Sequence, residues 1–153
     1  MVKLDLPKQK PTTMPTQNTL NQFIARVVSG AHAEAIEEFY TLNATMQENQ
    51  LEPRVGRNAL VAHEKAALSR AASVVSTCVA PVFANGDHVV IRWVFEFTGL
   101  DGRKGRIEKL AWPRWLNHVG NRADCAGNVF LWPGAVQTGL KAVLRRRLAI
   151  LGH

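Results

Sequence analysis

The 153-residue chain lacks several features that would place it in a class at once. It has no apolar run of the roughly 18 to 20 residues that a membrane-spanning helix needs, and its start has no apolar secretion signal. Its two cysteines, Cys78 and Cys125, show neither CxxC spacing nor a paired histidine, which argues against a zinc site or a disulfide framework. We therefore expect an unexported, cytoplasmic protein that makes no membrane contact.

Recognisable cofactor and catalytic motifs are missing as well. The sequence contains no Ser/His/Asp arrangement of familiar spacing, no glycine-rich phosphate loop and no metal-ligand spacing. We expect the protein to work without a metal or an organic cofactor.

The net charge of +7 raises the question of nucleic-acid binding. Most of that charge lies at the two ends of the chain. Residues 1–18 carry three lysines against one aspartate, and residues 133–153 carry one lysine and three arginines with no acid. Because the body between them is nearly neutral, solvated tails explain the charge better than a nucleic-acid surface, and we do not expect a nucleic-acid partner.

Composition along the chain predicts one domain between two tails. Residues 1–17 contain three prolines and scattered polar residues, which is typical of a flexible arm. Residues 18–132 are long enough and apolar enough to form a single globular domain. Residues 133–153 form a basic C-terminal segment.

The first half of that domain has helical periodicity. Apolar residues at helical spacing predict helices over residues 19–28, 33–40 and 57–72. Between the second and third helices, residues 44–49 ("ATMQEN") alternate and predict a short strand, and residues 50–56 ("QLEPRVG") predict a loop.

From Val74 onward the period changes to two, which predicts a meander of long antiparallel strands. Asn85-Gly86 and Asp101-Gly102 are both typical of hairpin turns. If each is a two-residue turn, one face of the sheet is mostly apolar, and the helices must cover that face. A one-residue bulge in a strand would exchange the two faces for all residues beyond it. That predicted inner face carries Ser76, Cys78, Ala80, Val82, Val89, Ile91, Trp93, Phe95, Phe97, Glu108, Leu110 and Trp112.

The order of these elements resembles a known superfamily. Two helices, the passage "FYTLNATMQEN", a third helix opening at "GRNALVAHEKAA" and strands around "VVIRWVFEFTGLDGRKGRIEKLAW" resemble the nuclear transport factor 2-like superfamily, and most of all its SnoaL-like polyketide cyclase and ketosteroid isomerase branch. The resemblance covers about residues 19–115. It implies an α+β fold in which a cone-shaped, curved antiparallel sheet wraps around three N-terminal helices and leaves an apolar pocket at the open end.

The last 38 residues depart from the pattern of that superfamily. One hypothesis is a change of reading frame after about Trp115, because one permitted set of codons for residues 121–132, read one base later, encodes a strand closer to the usual one. The competing hypothesis is that "CAGNVFLW" is itself the last strand, followed by a short basic helix over residues 138–151.

The resemblance also implies a place for a catalytic base. In ketosteroid isomerases the general base is a carboxylate on the strand after the second helix, and Glu48 occupies that place in "ATMQEN". The two groups of the isomerase oxyanion hole do not carry over. Tyr40 lies in the second predicted helix instead of the first, and Ala111 stands where the protonated acid would be.

Two further residues are candidates for proton transfer. The predicted register places Glu108 beside Phe95 on the apolar face, where an unpaired carboxylate would have a raised pKa. His63 lies on the inward stripe of the third helix and could relay a proton. The structural alternatives are a solvent-facing strand end for Glu48, a salt bridge to Arg106 or Arg114 for Glu108, and a hydrogen-bonded helix histidine for His63.

These observations predict a pocket protein for a small, largely apolar compound that is polycyclic or bears a carbonyl group. Its chemistry would be proton transfer next to the carbonyl, as in an isomerisation or a cyclisation, and the rival hypothesis is a non-catalytic ligand-binding or interaction module. The apolar outer positions Val79 and Val94 predict a homodimer through the outer sheet face. The residues predicted to contact the ligand, some of which could equally be core, are Tyr40, Met46, Cys78, Trp93, Phe95, Leu110 and Trp112.

Overall fold

The fold is described by a computed structural model that covers residues 15–118 and 122–131, with side chains as far as Trp115. Three helices precede most of a six-stranded sheet. In chain order the elements are α1 (Gln17–Val28), α2 (His32–Phe39), β1 (Thr45–Glu48), β2 (Arg54–Val55), α3 (Arg57–Leu68), β3 (Ala71–Asn85), β4 (His88–Gly99), β5 (Lys104–His118) and β6 (Arg122–Leu131).

All three predicted helices are present. The Thr16 side chain caps α1 by accepting a hydrogen bond from the backbone N–H of Thr19 at 3.1 Å, and Gly30 follows α1 with a φ of +88°, which glycine adopts without a Cβ penalty. The third helix is shorter than predicted, because the chain is already extended at Ala71. Among the described elements, no helix is long and apolar enough to cross a membrane.

The sheet has the strand order β2-β1-β6-β5-β4-β3. Neighbouring strands are antiparallel except β1 and β6, which pair in parallel. The prediction of an α+β fold with three N-terminal helices and an antiparallel sheet is therefore confirmed, with that one parallel step added. The two-residue strand β2 replaces part of the predicted loop over residues 50–56.

The strand predicted at "CAGNVFLW" is confirmed as far as Leu131, since β6 runs antiparallel to β5 over ten residue pairs. A strand at this place is expected under either hypothesis, so the change of reading frame stays a prediction. Nearly all of the predicted arm, residues 1–14, lies outside the described residues. The predicted basic segment, residues 133–153 with its helix, lies outside them too.

The core fills the space between the helices and the inner face of the sheet. It is unusually aromatic at its centre, where the Phe23 ring contacts the rings of Phe39, Tyr40, Trp93 and Trp115 at centroid distances of 5.5 to 6.5 Å. Burial of this many rings stabilises the fold both by apolar area and by edge-to-face geometry. The other apolar residues of this core are Leu20, Val27, Ala33, Ala35, Ile36, Ala44, Leu60, Val61, Val89 and Ile91. Val94, on the outer face of β4, is buried as well.

The pairing register of β3 and β4 agrees with the prediction only in the part of the hairpin far from its turn. Cys78 pairs with Trp93 as predicted. Nearer the turn, a register shift between Val79 and Phe83 adds two residues to β3, and Asn85 pairs with His88. The predicted pairs of Ala80 with Ile91 and of Val82 with Val89 are therefore wrong, although the shift of two preserves which face each residue occupies.

The second hairpin has a three-residue loop where the sequence predicted two. Gly99 accepts a hydrogen bond from the N–H of Gly102 at 2.9 Å, and its own N–H donates to the carbonyl of Arg103 at 2.7 Å. Gly102 has a φ of +79°, which is the left-handed residue of a common three-residue hairpin. One extra loop residue moves every later β5 side chain to the opposite face, so that Val94, and not Phe95, pairs with Glu108.

The new register places Gly105 under the ring of Phe97 on the inner face. The two residues are direct partners, and a Cβ at position 105 would overlap that ring. We expect Gly105→Ala to destabilise the protein by about 1 to 3 kcal/mol, because the ring must leave its position. Chemical denaturation of a double-mutant cycle measures this. In a Phe97→Ala background the same substitution should cost much less; an equal cost in both backgrounds would contradict this register.

Candidate functional site

A group of charged side chains surrounds Glu48 at the inner side of β1. Met46 packs against the core, and Glu48, two residues later in the same strand, lies on the same face. Its two carboxylate oxygens lie 3.6 Å from Lys109 Nζ and 3.7 Å from an Arg54 guanidinium nitrogen. The Glu48 side chain is 21% exposed and both of its partners are half-buried, which favours the pocket carboxylate over the alternative of a strand-end charge turned to solvent.

His63 of α3 belongs to the same group. Burial lowers the pKa of His63 below its ordinary value of 6.5, the charges of Arg54 and Lys109 lower it further, and those of Glu48 and Glu64 oppose them. The imidazole is thus neutral at pH 7 and can accept a proton. Two of the three predicted proton-transfer residues, Glu48 and His63, are close enough to act on each other electrostatically.

A second polar group lies deeper, between α2, α3 and β3. His32 is 7% exposed and Ser76 is 4% exposed. The Nδ1 atom of His32 lies 2.9 Å from Glu64 Oε1, and its Nε2 atom lies 2.7 Å from Ser76 Oγ. The three side chains form a continuous hydrogen-bonded row of carboxylate, imidazole and hydroxyl.

The protonation state of Glu64 determines which ring nitrogen of His32 carries the hydrogen in this row. Burial raises the pKa of Glu64, but the hydrogen bond and charge of His32, with the charges of Lys109 and His63, outweigh it and hold the pKa below the ordinary value of 4.5. Glu64 is therefore ionised at pH 7 and can only accept hydrogen bonds. It follows that Nδ1 of His32 carries a hydrogen.

We expect Glu64→Gln to destabilise the protein by about 1 to 3 kcal/mol at pH 7, because a hydrogen bond to a charged group is replaced by a neutral one. A carboxylate with a lowered folded-state pKa contributes stability above its unfolded pKa and loses it as the pH falls through the folded value. The difference between wild type and variant should hence shrink as the pH falls below about 4.5. Urea denaturation across this range measures it.

Glu38→Gln is the matched control for that experiment. Its carboxylate pairs with Arg26 at 2.7 Å, but both side chains are nearly half exposed. Surface pairs of this kind contribute about 0 to 1 kcal/mol. A Glu64→Gln difference that persists unchanged at pH 3 would show that the lost stability is not that of the carboxylate.

The third predicted proton-transfer residue, Glu108, lies on the outer face, so the prediction of an inward carboxylate with a raised pKa is wrong. Its carboxylate accepts a hydrogen bond from Arg92 at 3.0 Å and lies 2.7 Å from an Arg106 guanidinium nitrogen. These hydrogen bonds, first that of Arg92, hold the pKa of Glu108 below its ordinary value. The salt-bridge alternative involving Arg106 is confirmed.

The same register change moves two predicted ligand contacts. Leu110 pairs with Arg92 on the outer face, and Trp112 follows two residues later with its indole exposed and its Nε1–H donating to His88 Nδ1 at 3.1 Å. Their predicted place on the inner face is wrong. The residues that replace them on the inner face of β5 are Ile107, Lys109 and Ala111.

The other predicted ligand contacts divide between core and inner surface. Tyr40 and Trp93 are buried among the core aromatics. Met46, Cys78 and Phe95 are only partly buried and pack against that core from the inner face. Burial raises the pKa of the Cys78 thiol, which keeps it protonated. Phe95 stacks on Trp93 at 6.0 Å and has Lys109 Nζ 5.7 Å from its ring centroid.

Sequence reasoning missed five members of these two groups. The residues not predicted as site residues are His32, Glu64, Ser76, Arg54 and Lys109. One signal was present: Ser76 was placed on the apolar face, and a buried hydroxyl there requires a hydrogen-bond partner. Within the described residues, no three His, Cys, Asp or Glu side chains are grouped as a metal site requires.

An open groove of about 410 Å³ lies elsewhere, on the outer face near the second hairpin. Its lining residues include Val75, Glu96 and Arg106. None of the predicted site residues borders it, so the groove and the polar groups of the inner face are separate features.

A family model for the SnoaL-like domain matches residues 20–118, about two thirds of the chain. The chain belongs to the SnoaL-like domain family. The match begins in α1 and extends through β5, so it contains both polar groups of this SnoaL-like domain. A search of curated proteins found no significant match.

Solved structures show the same fold. A protein from Mesorhizobium loti described as a SnoaL-like polyketide cyclase superposes with a TM-score of 0.57 at 13% identity, covering 75% of this chain and 96% of that one. Another protein so described, from Jannaschia sp. CCS1, gives 0.59 at 11% identity, with 89% and 93% covered. An NTF2-like protein of unknown function from Burkholderia pseudomallei K96243 gives 0.58 at 10% identity, with 75% and 87% covered.

Proposed function

We propose that this SnoaL-like domain binds a small, largely apolar compound with a carbonyl group on the inner side of its sheet and transfers a proton next to that carbonyl. The observation that carries the proposal is the position of Glu48. It is a carboxylate on the core-facing side of β1, beside a neutral His63 and an apolar surface.

The charges around Glu48 suit such a reaction. Removal of a proton from the carbon next to a carbonyl leaves negative charge on the carbonyl oxygen, which a positive group must stabilise. Lys109 lies on the same inner face and contacts both Glu48 and the ring of Phe95. In this mechanism Glu48 takes the proton, His63 relays it, and Lys109 stabilises the enolate.

The apolar and aromatic character of the inner surface favours an aromatic or polycyclic substrate. Met46, Cys78 and Phe95 offer partly buried apolar surface at the edge of the core. A flat ring system can stack on Phe95 while its carbonyl reaches towards Lys109. The Mesorhizobium and Jannaschia proteins described as polyketide cyclases favour the same class of compound.

A ligand screen tests the proposal. Steroids, polyketides and aromatic ketones are added to the protein, and the unfolding temperature is measured for each. A ligand that binds only the native state adds about 2.7 kcal/mol at a concentration 100 times its Kd. A Phe95→Ala variant should lose most of that gain. Binding that is unaffected by Phe95→Ala would place the ligand elsewhere and contradict the proposed pocket.

We also propose that the protein forms a homodimer through the outer sheet face. Val75 and Trp112 are exposed there among the paired charges of Arg92, Arg106 and Glu108, an apolar and charged mixture that suits a two-fold interface. We expect light scattering at tens of micromolar to give a dimer mass and Val75→Asp to give a monomer. A wild-type monomer at that concentration would contradict this.

A further inference from the structure

The hydrogen-bonded row of Glu64, His32 and Ser76 has no role in the proton transfer proposed at Glu48. We propose that Ser76 is a nucleophile towards small activated acyl compounds, with His32 as its base and Glu64 as the group that orients the base. The carboxylate contacts Nδ1 at 2.9 Å and the hydroxyl contacts Nε2 at 2.7 Å, which is the order of roles in a catalytic triad.

The direction of the hydrogen bonds supports this assignment. With Nδ1–H donating to Glu64, the tautomer that serves as the base has its lone pair on Nε2, which accepts from the hydroxyl of Ser76. The serine proton then points at the base, and the oxygen lone pairs are left for attack. Because Glu64 and His32 come from two helices that pack against each other and Ser76 from a paired strand, all three are held by regular structure.

The reaction balances with an ester as the acyl donor. Ser76 Oγ forms a bond to the acyl carbon as His32 Nε2 takes the hydroxyl proton. The bond from carbon to the leaving group then breaks, and the leaving group takes the proton from His32. Water later attacks the acyl-serine by the reverse use of the same base, releasing a carboxylic acid. Lys109, which acts electrostatically on Glu64, supplies positive charge for the oxyanion.

Burial limits the acyl group that can react. With Ser76 only 4% exposed, an acyl group can reach it only by displacing side chains beside it, such as that of its cross-strand partner Phe95. This favours acetyl and other short acyl groups over bulky ones. This proposal shares Lys109 with the one for Glu48, but neither reaction needs the other's nucleophile or base.

The native protein is incubated with 4-nitrophenyl acetate, and the modified residue is located by peptide mass spectrometry. We expect one acetyl group on Ser76, none at that position in protein unfolded in guanidinium, and none in Ser76→Ala. His32→Gln should slow acetylation by about 100-fold or more, because the base is lost. Ser73→Ala, on the same strand, should leave the rate unchanged.

Peptide mass spectrometry of the wild-type protein shows whether Ser76 is acetylated even if Ser76→Ala does not fold, because it locates the acetyl group without a variant. Acetyl groups found only on lysines, or a Ser76 that stays unmodified while 4-nitrophenol is released at the rate of free solution, would overturn the proposal. The row would then be a structural device that satisfies two buried polar side chains.

Discussion

Phe23→Ala should destabilise the protein by about 3 to 5 kcal/mol, the range for removing a buried phenylalanine. The ring is 6% exposed and has four aromatic neighbours, the nearest being Phe39 at 5.5 Å and Trp115 at 5.6 Å between centroids. Its loss would remove both the buried area and the edge-to-face contacts. Since the neighbours come from α2, β4 and β5, they cannot close together without moving the helices against the sheet.

Phe83→Ala is the matched control, because it removes the same side chain from a position that is 62% exposed. We expect that variant to stay within about 0.5 kcal/mol of wild type. Urea denaturation of both variants gives the two free energies of unfolding. A loss below about 1.5 kcal/mol for Phe23→Ala would show that the helices and sheet are not packed through this ring.

The helices and the short strand β1 could be predicted because each is determined by a local pattern. The apolar spacing from Leu20 to Val27 fits a helix and no strand, and Thr16 and Gly30 mark its ends. Errors there were small and arose where one element meets the next. Helix α3 ends early because residues from Ala71 onward pair with β4. The local sequence pattern around α3 carries no information about that pairing.

The face of β5 could not be predicted, because it depends on the length of one loop. Asp101-Gly102 fits a two-residue turn and also the end of a three-residue loop with Gly102 in the left-handed region. The difference of one residue decides whether Glu108 faces the core or Arg92. The pairing of charges could have indicated the correct face. On the outer face Glu108 forms ion pairs with both Arg92 and Arg106, whereas on the inner face it would have needed another partner.

The hydrogen-bonded row of Glu64, His32 and Ser76 could not be predicted from the sequence, for a different reason. His32 is 32 residues from Glu64 and 44 from Ser76, so no short motif joins them. Only the packing of α2 and α3 on β3 brings them together. Glu48 could be predicted because the resemblance placed a carboxylate on the strand after the second helix. Its partners Lys109 and Arg54 could not, because their contact with Glu48 depends on the order of strands in the sheet.

The two polar groups differ in what holds their carboxylates. Glu64 has a single close partner in a buried row, while Glu48 lies between two cations at 3.6 and 3.7 Å, beyond hydrogen-bonding distance. A carboxylate whose two cations lie beyond hydrogen-bonding distance keeps its lone pairs available to a substrate. This difference supports the roles proposed above, proton abstraction for Glu48 and orientation of an imidazole for Glu64.

Glu48→Gln should lower turnover by about 100- to 10,000-fold, the usual contribution of a positioned general base, once the ligand screen has supplied a substrate. The amide keeps the size and hydrogen-bonding shape of the side chain but cannot take a proton at neutral pH. Ligand affinity should change little, because the apolar contacts of Met46 and Phe95 are untouched. Steady-state kinetics and calorimetry on the same preparation separate the two quantities.

Glu37→Gln is the control for that variant, since Glu37 pairs with Lys65 at 3.5 Å on the exposed side of the helices and is expected to keep full turnover. The kinetics also distinguish the proposed function from its rival. Full turnover by Glu48→Gln would make Glu48 a structural partner of Lys109 and Arg54. A ligand that binds tightly but is never converted, even by the wild-type protein, would instead make the domain a non-catalytic binding module.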